Sequence, residues 1–308
     1  FPVKDGMLHA VDDVSFDIER GTTLGVVGES GCGKSTLGRV LIHLLEPTDG
    51  QILFEGEDIT HPTKQHLQEI RKDMQMIFQD PFSSIDPRMT VSQLIEEPLK
   101  IYKLCKTKEE YAGRVARIMD TVGLAPRLAN TYPHELDGGR RQRIGIGRAL
   151  ALEPKFIICD EPVSALDVSI QAQVLNLMQD LQEKMGLTYI FITHDLSVVR
   201  HISNEIMVMY LGTVMEKAEA KTLMKRRLHP YTKALISAIP RVDPEKQEER
   251  IILRGELTSP VNPKPCCRFA ARCQYADENC HQCAPKLEEV LPGHFVACHK
   301  VKEINGLK

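Results

Sequence analysis

Leu24-Gly25-Val26-Val27-Gly28-Glu29-Ser30-Gly31-Cys32-Gly33-Lys34-Ser35-Thr36 is the stretch that decides the fold class. Leu24 to Val27 is a short apolar strand, the glycines make a turn, and Lys34 to Leu45 has the pattern of a helix. Gly28 to Ser35 fits G-x-x-x-x-G-K-[ST] in the strand, loop and helix order that a phosphate-binding loop needs. Glycines let successive backbone N–H groups turn toward phosphate oxygens, and the helix N-terminus adds partial positive charge. Gly28, Ser30, Gly31, Gly33, Lys34, Ser35 and Thr36 are therefore candidate nucleotide-binding residues. Lys34 is expected at the β- and γ-phosphates and the Ser35 hydroxyl on Mg²⁺. The plainer alternative is a chance glycine-rich turn.

Outward from this loop the chain alternates strands and helices. Val14, Phe16 and Ile18 alternate with acidic or hydroxyl residues up to Gly21, the period of a half-buried strand. Gln51 to Phe54, Met74 to Phe78, Phe156 to Cys159, Tyr189 to Thr193 and Ile206 to Tyr210 are further strand candidates. From about Met89 to Leu124 the pattern turns helical, with Val115, Ile118, Met119 and Val122 on one face. Ile170 to Met185 reads as a crossover helix that stops at Gly186, which implies parallel strands on either side. Asp160 and Glu161 emerge at the carboxyl end of an apolar strand, where open α/β sheets bind ligands. Asp160 is placed to hold Mg²⁺ and Glu161 to polarise an attacking water, against the plainer reading of two solvated acids. His194 follows another strand at the same kind of edge.

Composition narrows the class of function. Of 308 residues, 42% are apolar and 26% charged, and the formal charge of −3 offers no broad field for a nucleic-acid backbone. No apolar run reaches the roughly 18 residues that span a bilayer, and no signal-peptide layout opens the chain. A cytosolic location is expected, with any membrane role left to integral partners. Three of the nine cysteines, Cys32, Cys105 and Cys159, are isolated, whereas Cys266, Cys267, Cys273, Cys280, Cys283 and Cys298 crowd the end. In a reducing compartment such a cluster reads as metal ligands before disulfides. The composition changes after about Leu228, with Pro230, Pro240, Pro244, Pro260, Pro263 and Pro265, and a domain boundary is placed near Pro240.

Tyr132-Pro133-His134-Glu135-Leu136-Asp137-Gly138-Gly139-Arg140-Arg141-Gln142-Arg143 resembles the signature of ABC ATPases. That family has the order P-loop, Q-loop, signature, Walker B, D-loop and H-loop, and all six resemble stretches here in that order. Gln79, in Phe78-Gln79-Asp80-Pro81, resembles the Q-loop residue, Ser164-Ala165-Leu166-Asp167 the D-loop, and His194 the H-loop histidine. The resemblance implies an α/β P-loop NTPase core with a mostly parallel sheet, an antiparallel β part and a helical subdomain at about 88–150. The nucleotide-binding domain is expected over 1–240 and a small Cys-rich extension over 241–308. It further implies catalytic roles for Glu161, His194 and Gln79, with Ser35, Gln79 and Asp160 around Mg²⁺. Phe1 fits the place of the ring that packs on adenine, with an earlier strand expected before it. Two such subunits meet head to tail, so Asp137, Gly138, Gly139 and Arg140 are expected to face the ATP of a second, non-identical ATPase subunit.

Leu228-His229-Pro230-Tyr231-Thr232-Lys233-Ala234-Leu235 and the Cys-rich tail resemble the C-terminal region of oligopeptide and dipeptide import ATPases. An ordinary proline-started helix is the alternative. The resemblance implies two membrane permease subunits, an external peptide-binding protein reached through them, and a place on the cytoplasmic face of the membrane. Nickel and glutathione importers share the subfamily. A soluble DNA-repair ATPase of the same family would carry long coiled-coil insertions, and no sustained heptads occur. A metal or redox sensor would leave the nucleotide motifs unexplained.

Two departures and one cluster stay open. Asp137 and Arg140 stand where the signature usually has serine and glutamine. The carboxylate either repels the γ-phosphate of the partner's ATP or is offset by Arg140. Cys267, Cys273, Cys280 and Cys298 could hold a [4Fe–4S] cluster or a tetrahedral zinc. The wide spacing resembles the iron–sulfur tail of this importer subfamily. Such a metal is expected to staple a proline-rich appendage that offers little apolar core.

Overall fold

The apolar run before the glycine-rich turn is a strand, Thr23–Val27, with all five residues buried. The computed structural model describes residues 1–80, 84–239, 250–253, 255 and 260–307. The chain divides into two units, one of Phe1–Ile18, Thr23–Leu37 and Phe191–Lys308, the other of Glu19–Thr22 and Gly38–Ile190.

In the first unit Thr23–Val27 lies parallel to Glu205–Tyr210, with Leu24 opposite Glu205 and Val27 opposite Val208. Glu205–Tyr210 then turns back antiparallel as Thr213–Glu219, which pairs with His294–Val296 of a hairpin completed by Glu288–Leu291. The C-terminal tail thus extends the sheet. Short helices Leu196–Ile202, Ala220–Lys225 and Pro230–Ser237 follow or precede these strands. Pro230 takes the first helical position, where its missing N–H costs no hydrogen bond, and the His229 side chain caps the turn by accepting from the Tyr231 N–H. Val27, Ile206, Val208, Tyr210, Tyr231 and Phe269 are all buried in one apolar cluster.

In the second unit Met74–Ile77 lies parallel to Phe156–Asp160, whose residues are all buried. Val168–Met185 is the crossover helix, started by the Asp167 carboxylate on the Ile170 N–H and ended by Gly186 in the left-handed region at φ 66°. The helical segment comprises Val91–Ile101, Lys108–Thr121 and Gly138–Leu150, capped by Thr90, Thr107 and Asp137. Val91, Leu94, Ile95, Val115, Met119 and Ile144 are buried. Gly147 lets the third helix approach closely, since a Cβ there would lie 3.3 Å from Ile118.

Four expectations change. Val14 to Ile18 shows alternating burial but no named strand, because periodicity records which side is covered and not whether a neighbour supplies hydrogen bonds. The helix from Lys34 stops at Leu41, and His43 follows at φ 54°. Gln51 to Phe54 shrinks to Leu53–Phe54, paired with Glu57–Asp58 across Glu55 and Gly56, both at positive φ. The helical run from Met89 to Leu124 is two helices. Pro81, Pro240 and Pro244, and with them the boundary near Pro240, lie outside the described residues. The tail is also richer in core than its prolines imply: Phe269, Val296 and Ala297 are buried.

Candidate functional site

Two glycines of the phosphate loop lie against backbone that leaves no room for a side chain. Gly28 sits at φ 155°, and a Cβ there would lie 2.1 Å from the Met209 carbonyl oxygen. At Gly33, φ 103°, it would lie 2.0 Å from the Ala10 oxygen. Gly31, φ 78°, has open space around it and is required by its dihedral alone. The Gly212 N–H donates to the Cys32 oxygen at 2.9 Å and pins the far side of the loop. Lys34 is buried, and its Nζ donates to the oxygens of Gly28 at 2.8 Å and Glu29 at 3.0 Å, so the ammonium is folded into its own loop. Burial raises the Cys32 thiol above its usual range, against the lowering effect of Lys34, so it is a neutral packing group. Ser30, Ser35 and Thr36 lie on the same loop and helix start. His194, also in this unit, is exposed after the strand Thr188–Thr193 and just before Asp195 caps the following helix. Phe1 is about half exposed at the head of a small hairpin, Pro2–Val3 with Gly6–Met7.

The second unit carries the acids and the signature. Asp160 ends its strand 1% exposed, and Glu161 turns away at φ 46°. A non-glycine residue in that region carries about 1–3 kcal/mol of backbone strain, a cost that concentrates at functional sites. Gln79 Nε2 donates to Glu161 Oε2 at 2.8 Å, so the expected Q-loop residue and the expected catalytic acid meet. The Ser164 hydroxyl donates to the Glu161 carbonyl at 3.1 Å. Asp167 is held below the usual carboxylate range, first by the Ile170 N–H and then by the Ser169 hydroxyl. Asp137 accepts from the Arg140 N–H at 2.8 Å, and its other oxygen lies 3.3 Å from the Arg140 guanidinium. A Cβ on Gly139 would lie 2.4 Å from Ile170, so the signature glycine is packed against the helix that follows the D-loop.

Sequence reasoning passed over three groups. Gln142 is 1% exposed, and its Nε2 has no hydrogen-bond partner among the described residues. Arg148 bonds Glu97 at 2.9 Å and the Ser84 oxygen, and with Gln142, Gln75 and Phe78 it lines a pocket of about 380 Å³. Arg272 and Tyr231 both reach Glu29 of the phosphate loop. Spacing carries no signal for contacts of such long sequence separation.

In the tail, Cys267, Cys273, Cys280 and Cys298 line one pocket. Burial pushes Cys267 up to about 12 and Cys298 to about 11, and raises Cys273 and Cys280, so the thiols are protonated at neutral pH. The pocket admits at most one water, at about 10 Å³. Among the described residues no group of three or more His, Cys, Asp or Glu side chains converges closely enough to hold a metal ion. The geometry therefore does not bear out the expected cluster or zinc. The tail is tied to its unit by its hairpin and by Phe269.

No described helix is long and apolar enough to cross a membrane. Residues 11–164 match the family profile described as ABC transporter, and 215–280 match the one described as oligopeptide/dipeptide transporter, C-terminal region. The chain is 52% identical to the oligopeptide transport ATP-binding protein AppF of Bacillus subtilis, over 97% of this chain and 94% of that one. It is 53% identical to the oligopeptide transport ATP-binding protein OppF of Haemophilus influenzae, over 98% and 91%. Among solved structures, the dimeric ATP-binding cassette MJ0796 in a post-hydrolysis state with ADP and Pi matches with a TM-score of 0.65 at 29% identity, over 71% of this chain and 94% of that one. The cbiO1 subunit of a Clostridium perfringens ABC transporter complex matches with a TM-score of 0.66 at 27% identity, over 74% and 88%.

Proposed function

The chain belongs to the ABC transporter family, and from that premise we propose that it is the ATP-hydrolysing subunit of an importer of oligopeptides or dipeptides. The observation that carries the cargo class is the C-terminal region over 215–280, together with relatives named for oligopeptide transport. Such a subunit works with a second ATPase subunit, two membrane permeases and an external peptide-binding protein, from the cytoplasmic face of the membrane.

The residues divide the chemistry between them. Lys34 and the loop N–H groups bind the phosphates, and Phe1 packs on the base. A hydroxyl at Ser35, a carboxylate at Asp160 and the Gln79 amide are hard oxygen donors of the kind Mg²⁺ takes; they would hold that ion, which when bound would supply neutralisation of phosphate charge. Glu161, oriented by Gln79, holds the attacking water and takes its proton at a carboxylate oxygen. His194 contacts the γ-phosphate. The Asp137–Arg140 pair supports the reading in which the signature's extra negative charge is offset locally. Hydrolysis separates the ATPase pair, and Gln79 with the helical segment over about 88–150 passes the motion to the permeases. Residues 241–308 act as the extension. Purification from native membranes with identification of every co-purifying protein tests this: recovery without integral subunits sinks it. Uptake assays with di- and oligopeptides, nickel and glutathione separate the cargoes.

A [4Fe–4S] cluster, or zinc, at Cys267, Cys273, Cys280 and Cys298 is a separate proposal, supported by their common pocket. Loading would require the pocket to widen and the thiols to lose their protons. Iron, zinc and sulfide assays on anaerobically purified protein decide it, and absence of all three sinks it.

A further inference from the structure

Glu29, the second residue of the phosphate loop, is held at each of its polar groups. Its N–H donates to the Tyr231 hydroxyl oxygen at 3.0 Å. Its carbonyl accepts from Lys34 Nζ at 3.0 Å. Its carboxylate pairs with Arg272 Nη1 at 2.7 Å, with the two side chains only 27% and 11% exposed. Arg272 is not a drifting surface cation. It closes the short turn Ala270–Arg272, and its guanidinium lies 5.9 Å from the Tyr210 ring centroid. Tyr210 is packed edge-on against Tyr231 at 4.8 Å and Phe269 at 5.3 Å. The three rings therefore fix both groups that grip Glu29. All of these residues belong to the first unit.

A carboxylate inside a loop that binds phosphates would repel them at close range if it were left unpaired. We propose that Arg272 and Tyr231 are positioning residues for the nucleotide site, acting through Glu29. Arg272 cancels the Glu29 charge, and Tyr231 fixes the peptide whose carbonyl receives Lys34. The C-terminal tail is thereby part of the ATP site of its own chain, and not only an appendage behind it. This rests on the ATP-binding reading of the loop.

The experiment is titration of the purified full chain with a fluorescent ATP analogue and Mg²⁺, with thermal melting in the absence of nucleotide. Arg272→Ala is expected to weaken binding about tenfold, and Arg272→Lys to stay within about threefold of wild type. The double variant Arg272→Ala/Glu29→Gln should recover most of the loss, because the repelling charge is gone. A role in folding alone would lower the melting temperature and leave the affinity of the folded chain at the wild-type value. Tyr231→Phe keeps the buried ring but loses the acceptor, and about threefold weaker binding is expected. If Arg272→Ala does not fold, Tyr231→Phe still reads the grip on Glu29 through its N–H, and unchanged affinity there overturns the proposal. Folded Arg272→Ala binding within twofold of wild type, or no recovery in the double variant, also overturns it. Lys34→Ala serves as the control: a wild-type chain that binds no better than this control sinks the ATP reading itself, whereas normal wild-type binding with insensitive variants sinks only the role of Arg272.

Discussion

The two glycine-rich turns of this chain, Gly28 to Ser35 and Asp137 to Arg140, are built in opposite ways. In the first, glycines are forced by carbonyl oxygens about 2 Å from where a Cβ would stand, and the cation is buried inside the loop. In the second, Gly139 is forced by the Ile170 side chain, while the polar residues Asp137 and Arg140 are about half exposed and satisfy each other. The first turn is a cradle closed by its own unit; the second is a helix start whose polar groups face outward. The first is shaped by contacts within its unit, and the second leaves its polar pair to solvent.

Substitutions can break this contrast. The largest effect is expected at the acid in the same unit as the signature: Glu161→Gln should lower ATP turnover by about 10²–10⁴-fold while ATP binding persists. Lys34→Ala should reduce ATP binding by about 10²–10³-fold, measured by the same titration, since it removes a buried charge-assisted phosphate contact. A third test concerns the C-terminal side of the first unit. Burial lowers His229 to about 4 from its ordinary 6.5, against the raising influence of Glu216. Between those values the unfolded chain binds a proton that the native chain does not. Stability is therefore present above pH 6.5 and lost as pH falls toward 4, by up to about 3 kcal/mol. Denaturant melts across that window should flatten in His229→Asn, which keeps a capping side chain.

Smaller effects sharpen the signature. Gly139→Ala should destabilise the chain by about 1–3 kcal/mol through overlap with Ile170. Asp137→Ala should cost about 1 kcal/mol through loss of the helix cap. In the assembled transporter, Asp137→Ser keeps a cap and should change turnover by less than about threefold, because the exposed Arg140 pair is worth little. A tenfold rise in turnover would show that the carboxylate repels phosphate after all.

Much of this was legible from residues alone. The phosphate loop, the acids at the end of Phe156–Asp160 and the stop at Gly186 each depend on neighbours a few positions away, where periodicity and turn chemistry operate. Alternation at Val14 to Ile18 revealed coverage but could not reveal a missing strand partner. The composition of the tail conceals its core for a related reason. Its prolines and cysteines dominate the composition, while one phenylalanine, Phe269, and three residues of strand, His294–Val296, tie it to the core.

The order of elements, the glycines of the loop and the family were determined by the sequence itself, because local spacing dictates local conformation and a run of ordered motifs does not arise by chance. Tertiary structure alone decided that Gln79 meets Glu161, and that Arg272 and Tyr231 reach back to Glu29 across more than two hundred residues. Contacts of that kind depend on where packing brings distant segments together, and hydrophobic packing is non-directional until the whole core has formed.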